Sequence, residues 1–249
     1  MYNLLIAIGS GVLSFIALSF ALGGGEFKPL YGLVPGLFVL GIAYFYLARR
    51  TMRQVEVIMK RAQETLAKAQ SNPRMGQKRL NAVIDEAIGI LKEGYPLDKW
   101  QFWVKAQIDG QIGTLLYMAK KYDVAEKYLV GALKRHWMAK AMLGALYYKR
   151  KSVEQMTEAF EEAVEGSKKE SLLWNLYAYC LWKSNKQDEA IEVLNRALEN
   201  IPSDEKTQDN LKALQNNRKM KMRGWNMMWY QFHLDAPPQP RAQAQFRRR

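Results

Sequence analysis

The side chains best suited to catalysis are few and scattered along this chain of 249 residues, which holds two histidines, His136 and His233, and one cysteine, Cys180. Nucleophilic or metal-assisted chemistry needs such groups within reach of a partner. No carboxylate or cysteine stands at metal-ligand or nucleophile spacing around either histidine. Cys180 has no second cysteine to pair with and reads as a small core residue in a reducing compartment. Gly9-Ser10-Gly11 and Gly23-Gly24-Gly25 lack the flanking strand and helix of a phosphate-binding loop. Glu158, Glu161, Glu162 and Glu165 read as solubilising charge on the outer side of a helix. No catalytic residue, metal site or cofactor is therefore expected, and the chain is not expected to be an enzyme. The remaining chemistry is that of surfaces, where aromatic, methionine and basic side chains could hold polypeptide, lipid or nucleic acid.

Paired helices must position those surfaces. Trp174, Tyr177, Ala178, Leu181, Ala190, Leu194, Ala197 and Pro202 place a large residue early in one helix, small residues where two helices meet, and a proline after the second. The register recurs as Leu143, Gly144, Tyr147, Met156, Phe160 and Ala163, and as Ile112, Gly113, Leu116, Ala125, Leu129 and Ala132. In these residues the chain resembles the tetratricopeptide repeat, a helix-turn-helix of about 34 residues. The resemblance covers roughly residues 106–222. It implies an all-α, right-handed solenoid whose hollow side holds another chain. The loop carrying His136 and Trp137 is shorter than the repeat pattern, and Asp204 to Met222 reads as one polar capping helix.

In this family particular residues of the first helix of each pair face the groove. The resemblance implies three rows here: Gln107, Gly110, Gln111, Thr114 and Tyr117; Met138, Ala141, Met142, Ala145 and Tyr148; and Leu172, Asn175, Leu176, Tyr179 and Trp182. Tyr117, Tyr148 and Trp182 occupy the same row position, and Asn175 is the single residue resembling the family's carboxylate-gripping set. The partner-binding candidates are Tyr117, Met138, Met142, Tyr148, Leu172, Asn175, Leu176, Tyr179 and Trp182. Apolar, methionine-rich and aromatic, they suit an apolar helix or extended peptide.

Two uncharged runs open the chain, Met1 to Gly25 and Pro29 to Ala48. About 20 helical residues rise about 30 Å, the thickness of a bilayer's hydrocarbon core. A two-span hairpin is expected, turning at Gly23 to Lys28. A cleaved signal peptide is the alternative for the first run, but no basic residue precedes it and a second apolar run follows at once. Ala7 with Gly11, and Gly32 with Gly36, put small residues four apart for close helix packing. Arg49, Arg50, Arg53 and Arg61 follow the second span as membrane-surface candidates, and this bias orients both termini and the repeats to the cytoplasm, in a plasma membrane of bacterial inner-membrane type. Beyond it, Met52, Val55, Met59, Ala62, Leu66 and Ala69 form a narrow apolar seam. Asn72-Pro73 is expected to end that helix, and Leu80, Val83, Ala87, Ile90 and Leu91 line a second, stopped at Gly94-Tyr95-Pro96.

Charge separates the parts. The formal net charge is +13. Residues 80–217 carry 19 basic and 20 acidic side chains, residues 49–79 nine and two, and residues 218–249 eight and one. A nucleic-acid groove needs its charge on the folded binding surface, so nucleic acid is not the expected partner. Basic flanks beside membrane spans meet anionic headgroups. Arg218, Lys219, Lys221 and Arg223 lead into Trp225, Met227, Met228, Trp229, Tyr230 and Phe232, a run that fits packing on the protein's own repeats, docking on a partner, or lipid contact. From Ala236 onward composition reads as a disordered basic tail.

The expected organisation is a transmembrane hairpin at 1–48, a juxtamembrane helical pair at 49–95, repeats over 96–222 (about 106–135, 136–169 and 170–203, with a cap at 204–222), an aromatic segment at 223–235 and a tail at 236–249. The function it implies is that of a membrane-anchored adaptor binding partner proteins in an apolar groove, as a subunit or assembly factor of a membrane complex. The rival is an RNA- or anionic-lipid-associated protein acting through its basic tail.

Overall fold

A computed structural model describes residues 1–70 and 77–236. The break expected at Asn72-Pro73, the side chain of Ala69, and the tail beyond Ala236 lie outside the described residues. Those described are helical, with no strand among them. They divide into two compact units, Met1–Leu133 and Lys134–Arg249.

In the first unit, α1 (Tyr2–Ala21) and α2 (Pro29–Gln70) form an antiparallel hairpin, and both are long and apolar enough to cross a membrane. Their packing explains the small residues. A Cβ on Gly32 would lie 2.2 Å from both the Phe15 carbonyl oxygen and Ser19 Oγ, so only glycine admits this approach. Ala7 and Gly11 are buried on the facing side. At the other end of the hairpin Asn3 is buried, and its amide donates to Thr51 Oγ1 at 2.9 Å and to Gln101 Oε1 at 3.3 Å.

The last turns of α2 pack on α3 (Gln77–Lys92). Val55 and Ala62 are buried from the expected seam, while Met52, Met59 and Leu66 are half-buried. On α3 the buried face is Ile84, Ala87, Ile88 and Leu91, with Leu80, Val83 and Ile90 only half-buried. The face is rotated from the expected one because α3 also packs against α4 (Val104–Met118), which calls on a second stripe of its surface. A 3-10 turn (Tyr95–Lys99) links the two, and α5 (Tyr122–Val130) returns along α4.

The second unit stacks α6 (Trp137–Lys149), α7 (Val153–Gly166), α8 (Ser171–Lys183), α9 (Gln187–Asn200) and α10 (Glu205–Gln215) as successive antiparallel partners. The repeat residues do what their sizes require. A Cβ on Gly144 would come within 2.7 Å of the Phe160 ring, and that ring stacks on Tyr177 with centroids 5.1 Å apart. His136 is the cap of α6, its Nδ1 accepting from the Ala139 amide at 3.2 Å, and burial lowers its pKa.

Two local expectations change. The capping helix stops at Gln215 rather than running to Met222: the chain turns at Asn217, which has φ +55°, a conformation asparagine tolerates. The acidic run on α7 is also more than solubilising charge. Glu161 takes both Arg196 guanidinium nitrogens at 2.7 Å and the Tyr177 hydroxyl at 3.0 Å, Glu162 pairs with the buried Lys140 at 2.8 Å, and Glu165 pairs with Lys134 at 2.8 Å. Glu158 remains exposed. The cross-helix partners were invisible in a spacing that marked only one helix face.

Candidate functional site

The inner residues of α6 and α8 are where a bound polypeptide was expected, and within the second unit a polypeptide already lies there. After Asn217 the chain returns across these helices through a 3-10 turn (Arg223–Trp225) and the single turn α11 (Met227–Tyr230). The Trp229 ring stands edge-on to Tyr179, with centroids 4.9 Å apart and planes at 79°. Trp229 and Phe232 are fully buried, and Met220 and Met222 nearly so. Within this aromatic run Trp229 packs on the protein's own repeat helix α8 and Phe232 is buried, whereas Met227 is 68% and Met228 42% exposed.

A relay of hydrogen bonds pins the start of the segment. Asp204 caps α10 by accepting the Thr207 amide at 2.8 Å and also takes the Thr207 and Ser171 hydroxyls. Burial alone would raise this carboxyl, but those donors hold it below its ordinary value. Asn175 donates to Thr207 Oγ1 at 2.7 Å and to the Ser171 carbonyl at 2.8 Å, and accepts from Asn210 Nδ2 at 2.9 Å. Asn210 Oδ1 in turn accepts the Lys221 backbone amide at 2.7 Å. The far end is held by Trp229, whose Nε1 donates to Asp235 at 2.9 Å. Burial, and then the negative charge of Asp235, push the Tyr179 phenol up to about 12; burial and neighbouring charges including Asp235 raise Tyr148 as well.

The partner-binding candidates thus fall into two groups. Met138, Tyr148 and Trp182 remain half-exposed, whereas Met142, Leu172, Asn175, Leu176 and Tyr179 are buried within the second unit. Tyr117 belongs to the first unit, buried and edge-on to Tyr122 at 5.1 Å. Asn175 spends its amide on the internal relay. Of the membrane-surface candidates, Arg49, Arg50 and Arg53 are exposed on α2, and Arg61 reaches Glu93, the residue after α3, at 2.8 Å.

Beside the returning segment opens a cavity of about 560 Å³ that spacing alone did not reveal. Its wall includes Tyr179 and Trp182, the basic Lys183, Lys206, Lys219, Lys221 and Arg223, and the carboxylates Asp209 and Asp235. The Lys183 ammonium sits 4.6 Å over the Trp182 ring and that of Lys206 5.2 Å over Trp225. The excess of cations suits an anionic group. The signal for it was the basic stretch before Trp225, which folding carries back to the end of α8. Cys180 is buried on the same helix, and burial pushes its thiol up, which leaves it a packing residue. Among the described residues no group of histidine, cysteine and carboxylate side chains could hold a metal ion.

No protein-family model matches the chain, and no solved structure does. Among curated proteins it is similar to the peroxisomal targeting signal receptor of Saccharomyces cerevisiae, 26% identical over an alignment 149 residues long that covers 52% of this chain and 24% of that protein. The chain therefore spans about a quarter of that relative's length. This likeness and the all-helical hairpins accord with a tetratricopeptide-like repeat protein.

Proposed function

We propose that this chain is a membrane-anchored adaptor, non-catalytic, that holds partner proteins close to a bilayer through the inner face of its helix pairs. The observation that carries the binding role is Trp229 seated against Tyr179: this face receives an aromatic, methionine-rich stretch of polypeptide, the chemistry expected of its ligand. Met138, Tyr148 and Trp182 are the accessible part of the face in the second unit, where Met142, Leu172, Asn175, Leu176 and Tyr179 are buried; Tyr117 is buried in the first unit. The similarity to a receptor supports the same class of function. The partner is a protein presenting an apolar helix or peptide, and the adaptor serves as a subunit or assembly factor of a membrane complex.

The anchoring role rests on the outward surfaces of α1 and the first half of α2. Leu13 is 70% exposed, Leu30 79% and Phe38 69%, a density of apolar side chains that water would penalise and lipid would accept. The positive charge of Arg49, Arg50 and Arg53 after the second span supports a cytoplasmic side for the following helices, in a membrane of the bacterial inner-membrane kind.

The test is purification of the full chain in mild detergent with identification of what accompanies it, against a Tyr148→Ala, Trp182→Ala variant. Loss of one stoichiometric companion from the variant is the expected result. An unchanged set of companions would refute the assigned face. A reporter fused after Arg249 should be active in the cytoplasm, and activity on the opposite side would overturn the topology.

A further inference from the structure

We infer that the loop from Trp100 to Trp103 is an interfacial anchor, seating the first helix pair of the repeat region in the headgroup layer of the bilayer. The inference rests on the two-span reading above and adds to it a contact made by a segment outside the spans.

The placement follows from hydrogen bonds within the first unit. The Asn3 backbone amide donates to the Trp100 carbonyl at 3.3 Å, and its side chain donates to Thr51 Oγ1 and Gln101 Oε1. Gln101 Nε2 donates to the Tyr44 hydroxyl at 3.0 Å. The Trp100 ring meets Tyr2 edge-on with centroids 5.1 Å apart. The loop is thereby fixed beside the start of α1 and residues 44–51 of α2, the level at which the uncharged run gives way to Arg49, Arg50 and Arg53. That boundary is where a bilayer passes from hydrocarbon to headgroups.

The side chains presented there have matching chemistry. Trp103 is 63% exposed and Trp100 42%, with the exposed Phe45 and Tyr46 on the adjacent helix. An indole has a large apolar body and one N–H donor, a combination that favours the headgroup layer over both water and hydrocarbon. Exposed Lys99 stands beside Trp100 and can extend to lipid phosphates, while the ammonium of Lys105 is engaged by Asp109. Trp103 also holds a left-handed backbone conformation, φ +64°, immediately before the first residue of α4. A bulky residue in that conformation is uncommon and is kept where its surroundings require it. The occupant is therefore the lipid interface itself, and its consequence is that α4 begins at the membrane surface.

The full chain, reconstituted in vesicles of phosphatidylethanolamine and phosphatidylglycerol, provides the test. A nitroxide placed by Trp103→Cys, and separately by Trp100→Cys, reports its relative collision rates with oxygen and with a polar nickel chelate; buried Cys180 stays unlabelled. References are Phe38→Cys, on the outward face of α2, and Lys127→Cys, exposed on α5. Labels at 100 and 103 should shift from the value at 127 toward that at 38. Values at both sites equal to that at 127, with position 38 still in lipid, would overturn the anchor and leave the spans intact. A water-like value at position 38 would instead refute the two-span reading and the anchor with it. Quenching of the native chain's tryptophans by lipids brominated near the headgroup, reduced when Trp100 and Trp103 are changed to Phe, is the companion measurement that needs no label; no reduction would count against the anchor.

Discussion

Trp229 meets Tyr179 edge to face, with ring centroids 4.9 Å apart, across 50 residues of sequence that include α9 and α10. The contact closes the returning segment over α8 and sets how much of the inner face a partner can reach. Trp229→Ala should release residues 223–236, beyond the stretch pinned by Asn210, while α6 to α10 stay folded. Loss of a fully buried indole costs about 3 kcal/mol or more. Hydrogen exchange would show it: amides of the segment should exchange much faster, and those of α8 should keep their protection. Equal loss of protection in α8 would mean that the segment is part of the unit's core rather than a cover.

Alkaline pH should loosen the same contact. The Tyr179 phenol, ordinarily near 10.0, is raised to about 12 by burial and by the charge of Asp235. The folded form holds its proton where the unfolded chain has lost it, so the stability it contributes is intact below about pH 10 and is lost as pH rises from there through about 12. Asp235→Asn should bring the Tyr179 transition down, read by tyrosinate absorbance in the ultraviolet, because a negative neighbour has been removed.

At the other face of the unit, Glu161→Gln should destabilise the α7–α9 contact by about 1 kcal/mol, the scale of a half-exposed ion pair screened by solvent. Its carboxyl is held below its ordinary value chiefly by the hydrogen bonds from Arg196. That contribution is therefore present above the ordinary carboxylate range and lost as pH falls through the lowered pKa. Arg196→Lys should fare nearly as badly, since an ammonium cannot match the two-pronged contact. Denaturant unfolding near neutral pH, repeated in acid, measures both variants; a wild-type advantage that persists in strong acid would exclude the pair as its source.

The hairpin of α1 and α2 offers a paired test of close packing. Gly32→Ala brings a methyl group to within 2.2 Å of the Phe15 carbonyl and should lower the thermal midpoint of the detergent-solubilised chain. Gly9→Ala meets nothing within 4 Å and should leave it unchanged or slightly raised. Equal midpoints for the two variants would show that the hairpin does not depend on the glycine contact.

The helices and their pairing can be read from the order of residues alone. Apolar periodicity, small residues at helix crossings and two long uncharged runs are local properties, and α1, α2 and the hairpins from α4 to α9 follow from them. Some site features were also local, such as the half-exposed Tyr148 and Trp182. It took the folded chain to reveal where the Trp229 segment lies, that Glu161 answers Arg196 while Asn175 answers Thr207 and Asn210, and that Asn3 holds the Trp100 loop beside the hairpin. Each of these joins residues 32 or more apart in sequence, for which periodicity carries no signal: a side chain's type announces what it could bind, but its partner is chosen by which surfaces the packed helices bring within reach.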